Sequence, residues 1–221
     1  MSHPDMTTLE STQNRAQPEE SADRVERLRT ELLALPRHLL NHQEVRQYQV
    51  QMLNLLVTAG ASAMSRDHPK AHFTASAFIC SSQGEVLALF HRKLQRWLQP
   101  GGHMELSDQS ALEAALREAR EESGLDELRA LSASPIDLDI HTIPARGQEP
   151  EHAHYDVRYA FIASNSASAR CSEESTGLRW LSQQQLSEWR ASAPSIDRPV
   201  RVLLELLNDD EMMQCDQKTK L

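Results

Sequence analysis

The sequence predicts an α+β domain, because segments with helical spacing flank a central region of short apolar or alternating segments that are typical of strands. Two helix-patterned segments precede residue 69, and two more follow the central region. The central region, from His72 to about Ser182, also contains one helix that is rich in glutamate and arginine. We therefore expect a β-rich core that holds one unusual helix, with further helices before and after it.

The composition fits one globular domain with short extensions. The 221 residues are 39% hydrophobic and 25% charged, which is enough apolar material for a buried core. The net charge of −9 disfavours nucleic acid and anionic membranes as partners, although a divalent cation lets an acidic protein bind phosphates. The N-terminal segment has no apolar stretch typical of a signal peptide, and no apolar run is long enough to span a bilayer. We expect a cytoplasmic protein that binds neither nucleic acid nor membranes.

The three cysteines are expected to be ordinary thiols. Cys80, Cys171 and Cys215 are odd in number and scattered, and they lack the spacing of a zinc site or a disulfide framework. Unpaired thiols are the usual state of cysteine in a reducing cytosol.

The sequence before the core predicts a tail and then a helical extension. Residues 1–21 are polar and are expected to form a disordered tail. Within residues 22–68, apolar side chains repeat at helical spacing up to Pro36, which ends or kinks the first helix, and a second run of helical spacing follows. We expect these two helices to form an antiparallel pair, which serves as a homodimer contact or as a lid.

Residues 69–212 hold the predicted core domain, and residues 213–221 are expected to form a second tail. The segments FTASAFIC and EVLALFHRK are short and apolar, and the turn SSQG between them predicts a β-hairpin. The segments IDLDIHTI and HYDVRYAFIA alternate between polar and apolar residues, as two strands joined by a loop would. GLRWLS predicts one more strand, and QQQLSEWR and RPVRVLLELLN predict the C-terminal helices.

The most informative segment is the charged helix that contains LREAREESGL. Glu118, Glu121 and Glu122 stand at positions i, i+3 and i+4, so their side chains share one face of the helix. Like charges on one face repel unless a cation binds between them, and carboxylate oxygens are the ligands that Mg²⁺ or Mn²⁺ prefers. Arg117 is expected to pair with Glu113 or Glu121 and so to hold a ligand in place. For this helix alone, a solvated face of mixed charge is the alternative interpretation.

The residues around this helix favour the metal site. The turn PGGH contains two glycines that allow close backbone approach, so the main-chain carbonyl of Gly102 is a candidate metal ligand. Ser110, followed three residues later by Glu113, is a candidate capping box at the start of the helix. Gly124 is expected to end the helix.

The segment GGHMELSDQSALEAALREAREESGL resembles the signature of the Nudix hydrolase superfamily, which is a glycine, a spaced acid and then Arg-Glu-apolar-x-Glu-Glu-x-Gly-apolar. The second half of the signature is complete, from Arg117 to Leu125. In the first half, Asp108 stands where the family usually has glutamate, and one extra residue separates it from Arg117. An insertion within the helix would rotate the carboxylates apart, so we place it in the turn before Ser110 and assign Asp108 no metal role.

The resemblance extends from about Phe73 to Ser182 and implies a mixed β-sheet sandwiched by helices. It also implies a hydrolase that uses Mg²⁺ or Mn²⁺ as cofactor and attacks a phosphorus of a nucleotide or other small diphosphate substrate with water. The residues that the resemblance assigns to the metal are Gly102, Glu118, Glu121 and Glu122. Arg117 would orient one of these glutamates, and Glu174, before a later Trp-containing strand, is a candidate auxiliary ligand or base.

A second function is compatible with the same resemblance. A Nudix-fold module that binds a nucleotide metabolite without hydrolysis, and regulates a partner, would have the same fold. The intact glutamate triad argues against it, since a pure sensor has no need of crowded carboxylates. Residues typical of the ADP-ribose, diadenosine polyphosphate and coenzyme A hydrolases of the family are missing here, which leaves nucleoside triphosphates, nucleotide sugars and other diphosphates as substrate classes.

Candidate substrate contacts lie in two further segments. The basic cluster HRKLQRW offers Arg92 and Arg96 for substrate phosphates, with a solvated turn as the alternative interpretation. Along HAHYDVRY, alternation puts His154, Asp156 and Arg158 on one side of a strand. We interpret this side as an exposed polar face or as a wall of the substrate pocket. A second metal centre is not favoured, because nothing in the sequence fixes three His or Asp ligands in register.

Overall fold

The structure is a computed structural model that describes residues 18–219 of the chain, with side chains described for residues 19–209. Within these residues the helices are α1 (Pro18–Leu33), α2 (Arg37–Leu40), α3 (Gln43–Ala59), α4 (Ala111–Ser123), α5 (Gln183–Ser192) and α6 (Asp197–Thr219). The strands are β1 (Ala71–Ser81), β2 (Val86–His91), β3 (Arg96–Leu98), β4 (Gly101–His103), β5 (Leu128–Ala130), β6 (Asp137–Ile143), β7 (His152–Ala163) and β8 (Ser175–Leu181). The predicted α+β class is confirmed.

One mixed sheet contains these strands. Its central strands β1 and β7 are parallel over their full length, from Ala71 beside Ala153 to Ser81 beside Ala163. The predicted hairpin is confirmed, since β1 pairs antiparallel with β2. The two predicted strands joined by a loop are β6 and β7, which also pair antiparallel. The short strand β4 pairs antiparallel with the first half of β1, while β8 and β3 flank β2, and β5 pairs with the end of β7.

The helices before β1 share one hydrophobic core with the sheet. Leu28 and Leu32 of α1 and Met52 of α3 are fully buried in the same cluster as Phe73 and Tyr159 of the central strands. Helix α1 packs against α3, as expected for the predicted helical pair. The extension is therefore built into the core of the domain. No helix among residues 18–219 is both long and apolar enough to cross a membrane.

Part of each predicted tail is helical. Helix α1 begins at Pro18, inside the predicted N-terminal tail, and proline is favoured in the first turn of a helix because its missing N–H would have no partner there. Helix α6 continues to Thr219, through most of the predicted C-terminal tail. The remaining parts of the predicted tails, residues 1–17 and 220–221, lie outside the described residues.

Helix α4 begins and ends where the sequence predicts. The Ser110 side chain accepts a hydrogen bond from the Glu113 N–H, and Gly124 adopts the left-handed conformation, with φ 64°, that ends the helix. The Glu113 carboxylate accepts from the N–H of Gln109 at 2.8 Å, one residue before the N-cap. The buried face of α4 consists mainly of alanines, so the helix packs closely on β1.

The cysteine side chains behave as expected where they are described. Cys80 is buried, and its thiol donates to the Phe161 carbonyl at 3.4 Å. Cys171 is an exposed thiol, and the side chain of Cys215 lies outside the described residues.

Candidate active site

The glutamates of α4 meet the glycines of β4 where the helix packs on the sheet. A Cβ atom added at Gly102 would lie 2.6 Å from Glu118 Oε1, so any side chain at this position would collide with the carboxylate. The N–H of Gly101 donates to Glu122 Oε2 at 2.8 Å. The structure thus brings the predicted ligands Gly102, Glu118 and Glu122 together.

Arg117 lies between two of the carboxylates. Its Nη1 donates to Glu118 Oε1 at 2.9 Å and to Glu121 Oε2 at 3.1 Å. The predicted pair with Glu121 is confirmed, whereas the carboxylate of Glu113 caps the turn before α4. Each of Glu118 and Glu121 uses one oxygen in these bonds, so its second oxygen is a potential metal ligand.

Asp108 anchors Arg117 from the turn before α4. It is 4% exposed, and its two carboxylate oxygens accept from Arg117 Nε and Nη2, each at 3.0 Å. Oδ2 also accepts from the Glu105 N–H at 2.7 Å. A bidentate ion pair of this kind fixes the plane of the guanidinium and raises the pKa of Arg117. Asp108 precedes α4, which begins at Ala111, and it has a positioning role that the sequence did not indicate.

Two side chains of α1 support the same turn and the start of α4. Arg24 is 5% exposed and donates to the carbonyls of Asp108 at 2.9 Å and Glu105 at 2.6 Å. Glu31 accepts from the Ala111 N–H at 3.1 Å, which satisfies one of the unpaired donors at the start of α4. These contacts join residues 84 and 80 positions apart, so no local pattern could have indicated them.

Burial makes the carboxylate cluster hard to ionise without a cation. Desolvation is the largest cause that raises the pKa of Glu122, to about 7; the hydrogen bond from Gly101 opposes this shift, and the nearby negative charges of Glu118 and Glu174 add to it. Desolvation also raises the pKa of Glu118, although Arg117 opposes the shift. Several carboxylates thus face a single guanidinium, an arrangement that a hard divalent cation would stabilise. The side chains present therefore fit Mg²⁺ or Mn²⁺.

Glu174 faces the α4 glutamates from the segment before β8. It lines a small cavity together with Glu122, Gly101, Gln99 and His91. Its charge contributes to the raised pKa of both Glu118 and Glu122, which places it within electrostatic reach of them. Glu174 therefore lies in the same site as the α4 glutamates.

One of the two predicted basic contacts, Arg92, lies beside Glu174. The backbone N–H of Arg92 donates to the Glu174 carbonyl at 2.9 Å, so the turn after β2 adjoins the segment before β8. Arg92 and Arg96 are exposed, which leaves their side chains accessible to a ligand. Trp97 instead packs edge-on against Phe90 and is half-buried.

Two other predicted substrate contacts are inside the protein. Asp156 is 1% and Arg158 is 2% exposed, so the expected exposed polar face is wrong for these residues. Arg158 pairs with Asp137 at 3.1 Å, Asp139 at 2.8 Å and Asp156 at 2.9 Å. Arg198 of α6 covers this network and donates to Asp137 at 2.6 Å. Asp156 and Arg158 neutralise each other within the fold, so we do not carry their predicted substrate role further.

His154, the third residue of that strand face, lies in a cluster of histidines. The candidate ligand atoms of His72, His103 and His154 all lie within 4.8 Å of one another. The expectation that nothing fixes three such ligands in register is wrong, because the parallel pairing of β1 with β7 sets His72 beside His154. Burial, followed by the neighbouring imidazoles, lowers the pKa of His103 to about 4 and of His154 to about 2, so these rings are neutral near pH 7.

The carboxylates and the histidines lie on opposite faces of β4. The Cβ direction of Gly102 points at Glu118, and side chains alternate along a strand, so His103 points to the other face. The backbone carbonyl of His103 nevertheless accepts from Arg117 Nη2 at 2.8 Å. One three-residue strand thus contributes to both clusters.

A mixed sheet, a glycine turn and a helix with clustered glutamates define a hydrolase of phosphoanhydride bonds. The NUDIX domain family model matches residues 70–202, more than half of the chain. The chain therefore belongs to the Nudix hydrolase superfamily, as the resemblance implied, and it is an enzyme that acts on acid anhydrides in phosphorus-containing compounds.

Solved structures of other Nudix proteins are similar to the chain over about three fifths of its length. An Ap4A hydrolase from C. elegans has a TM-score of 0.45 and 16% identity, over 62% of this chain and 98% of the other. A NUDIX family hydrolase from Clostridium perfringens has a TM-score of 0.43 and 27% identity, over 62% and 96%. The E. coli dihydroneopterin triphosphate pyrophosphohydrolase has a TM-score of 0.45 and 16% identity, over 62% and 95%. At these TM-scores the similarities carry no argument about the substrate. A search of curated proteins found no significant match.

Proposed function

We propose that this chain is a Mg²⁺- or Mn²⁺-dependent pyrophosphohydrolase that uses water to cleave a P–O–P bond. Its substrate would be a nucleoside triphosphate or a nucleoside diphosphate linked to another group. The observation that carries the proposal is the cluster of α4 glutamates against Gly102, since burial raises the pKa of Glu118 and Glu122 and only one guanidinium compensates. Such a cluster suits a hard divalent cation better than any other ligand.

The residues that would hold the metal are the Gly102 carbonyl and the carboxylates of Glu118, Glu121 and Glu122. When bound, the metal supplies charge neutralisation at the phosphate oxygens and a lowered pKa for the attacking water. The contribution of Arg117 is positional, because it donates to both Glu118 and Glu121 and is itself held by Asp108.

Glu174 is the residue that we propose as auxiliary ligand or general base. It shares a cavity with Glu122 and lies outside α4, so it approaches the reacting water from a different direction than the helix glutamates do. Arg92 and Arg96 are the proposed contacts for substrate phosphates, because both are exposed and the backbone of Arg92 adjoins Glu174. The partner implied by this site is a small nucleotide or another diphosphate.

Hydrolysis of a nucleotide panel tests the proposal. The panel should contain nucleoside triphosphates, nucleotide sugars and dinucleoside polyphosphates, each with and without Mg²⁺ or Mn²⁺. We expect metal-dependent turnover of at least one class. We also expect Glu121→Gln and Glu122→Gln to lower kcat by roughly 10²–10⁴-fold. Glu188→Gln is the matched control, since Glu188 is an exposed glutamate of α5 outside the site.

The second candidate function predicts a different result from the same panel. A nucleotide sensor would bind one of the compounds tightly without turnover in any metal, and the glutamine variants would then be as inactive as the wild type. That outcome would overturn the hydrolase proposal. Equal turnover by the wild type and both variants would overturn the assignment of the site.

A further inference from the structure

We propose that His72, His103 and His154, with His152 as a fourth ligand, bind a divalent transition-metal ion, with Zn²⁺ preferred. This site would lie on the sheet face opposite the carboxylate cluster. It is distinct from the proposed hydrolytic site, since it uses different side chains and a different ligand chemistry.

Strand register places the histidines together. His72 of β1 is the direct neighbour of His154 on β7, and β4 sets His103 beside Thr74, two residues further along β1. Side chains two residues apart on a strand share a face, so the three imidazoles project from the same side of the sheet. His152 lies on that side as well, two residues before His154.

The distances within the cluster are close to those of a metal centre. The candidate ligand atoms of His72, His103 and His154 all lie within 4.8 Å of one another. Zinc binds imidazole nitrogen at about 2.0–2.1 Å, so two ligands of one tetrahedral ion are about 3.3 Å apart. Small rotations of rings on adjacent strands would close the remaining gap. The Nε2 atoms of His152 and His154 are already 3.2 Å apart.

Backbone carbonyls hold the outer nitrogens of two rings. His72 Nδ1 lies 3.4 Å from the His68 carbonyl, and His152 Nδ1 lies 2.9 Å from the Pro150 carbonyl. A metal-binding imidazole commonly donates its second N–H to a backbone carbonyl, which fixes the tautomer and frees the other nitrogen for the metal. This arrangement assigns Nε2 as the ligand atom of both His72 and His152.

The strongest observation in favour of a bound ion is the buried Nε2 atom of His72. His72 is 2% exposed, and its Nε2 is buried and has no hydrogen-bond partner among the described residues. The His72 ring packs against the rings of His103, His152 and His154, with centroids 4.9, 5.0 and 4.8 Å away. A buried nitrogen without a partner is costly, and a metal ion among these four rings would satisfy it.

The donor set selects the type of ion. Imidazole nitrogens suit Zn²⁺, Co²⁺, Ni²⁺ and Cu²⁺, whereas Mg²⁺ and Ca²⁺ prefer oxygen. The nearest aspartates of this face, Asp139 and Asp156, are already paired with Arg158. With four protein ligands a tetrahedral ion would have no open position, as in structural rather than catalytic zinc sites.

An ion at this site would tie β4 to the two central strands. His103 directly follows the proposed ligand Gly102, and its carbonyl accepts from Arg117. The histidine-bound ion would therefore have a positioning role for Gly102 and Arg117, without contact to the substrate.

Titration of the untagged, full-length protein with Co²⁺ and Zn²⁺ tests the proposal, after removal of bound metal with a chelator. We expect one Co²⁺ per chain with the intense visible absorption of tetrahedral nitrogen coordination, and displacement of Co²⁺ by Zn²⁺. His103→Gln and His154→Gln should each weaken Zn²⁺ binding about 100-fold or more. The carboxylate double variant Glu118→Gln, Glu122→Gln and the exposed-histidine control His38→Gln should bind as tightly as the wild type.

Three results would overturn the proposal. One is a wild type that binds no Co²⁺ with tetrahedral absorption. Another is Zn²⁺ binding that is unchanged in folded His103→Gln and His154→Gln proteins. The third needs no variant, and so applies even if those proteins fail to fold: ¹⁵N imidazole shifts of His72, His103 and His154 that do not change when Zn²⁺ is added to the wild type. Each of these results would leave the proposed hydrolytic activity untouched, because the nucleotide panel measures that activity in Mg²⁺ or Mn²⁺.

Discussion

The two faces of the central sheet carry polar clusters of different chemistry. Gly102 of β4 belongs to the glutamate cluster, and the next residue, His103, belongs to the histidine cluster. On the α4 face, partly buried glutamates carry excess negative charge that one arginine compensates only in part. On the other face, neutral imidazoles adjoin a buried network in which Arg158 pairs with three aspartates. On the first face the carboxylates outnumber the single guanidinium that pairs with them, whereas the charges of the second face are largely satisfied within the protein.

This difference distinguishes the residues that should matter for activity from those that should matter for folding. An unbalanced cluster beside a cavity can take up a hard cation and a phosphate, and its members should matter more for activity than for folding. A balanced buried network has no charge left for a ligand, and breaking it should mainly destabilise the fold.

The largest effect is expected from Arg158→Met. Removal of this guanidinium leaves aspartates buried without their cation, which typically costs about 3–5 kcal/mol. We expect a loss of that size in the free energy of unfolding, measured by urea denaturation. Arg120→Met is the control, because Arg120 is exposed on α4, and it should change stability by less than about 0.5 kcal/mol. Equal stability of the two variants would show that the ion-pair network is not structural.

A smaller effect, on activity, is expected from Asp108→Asn. Asparagine has one acceptor oxygen where aspartate has two, so it can accept only one of the two hydrogen bonds that Arg117 donates to Asp108. The guanidinium and the glutamates it holds then lose their fixed geometry. Loss of such a supporting contact typically lowers metal affinity or activity about 10–100-fold. Steady-state kinetics across a Mg²⁺ series should show a higher Mg²⁺ requirement than in the wild type. Glu113→Gln, a change in the same segment outside the cluster, should leave that requirement unchanged, and unaltered kinetics in Asp108→Asn would contradict the positioning role.

The two clusters should shift the stability of the metal-free protein with pH in opposite directions. Glu122 has a pKa of about 7 in the fold and an ordinary value of 4.5 when unfolded, so it adds stability below pH 4.5 that is lost as the pH rises through 7. His103 has a lowered pKa of about 4 against an ordinary 6.5, so it adds stability above pH 6.5 that is lost as the pH falls towards 4. The two ranges overlap between pH 4.5 and pH 6.5, so the trends largely cancel in the wild type. We expect each trend alone to amount to at most about 3 kcal/mol in unfolding free energies measured from about pH 4 to pH 8.5.

Single variants assign each trend to its cluster. Glu122→Gln should leave only the His103 trend, so its stability should fall as the pH is lowered from 6.5 towards 4. His103→Gln should leave only the Glu122 trend, so its stability should fall as the pH is raised from 4.5 through 7. If both variants retain the wild-type profile, the titrating groups lie elsewhere.

Local patterns predicted most of the secondary structure and the carboxylate site. Ser110 and Gly124 mark the ends of α4, and the spacing of its glutamates defines their shared face. Alternation along β6 and β7 also correctly grouped the polar residues of each strand. These properties depend on residues a few positions apart, so the sequence carries them directly.

The features that the sequence missed depend on contacts between distant segments. Alternation places Asp156 and Arg158 on the same side of a strand, but it cannot show whether another element covers them. In the structure Arg198 of α6, near the other end of the chain, covers their network. The histidine cluster requires the parallel register of β1 with β7, which no turn specifies. The support of α4 by Arg24 and Glu31 has the same origin, since both side chains come from α1.

The most direct test of the contrast between the two faces is the melting temperature of the metal-free protein as Mg²⁺ is added. At about 100 times its dissociation constant, Mg²⁺ bound only to the folded state would contribute about 2.7 kcal/mol, which corresponds to a rise of roughly 5–10 °C for a chain of this size. We expect that rise in the wild type and in His154→Gln, and a rise below about 1 °C in the double variant Glu118→Gln, Glu122→Gln. An unchanged melting temperature in the wild type, or an equal rise in the double variant, would contradict the assignment of Mg²⁺ to the carboxylate face.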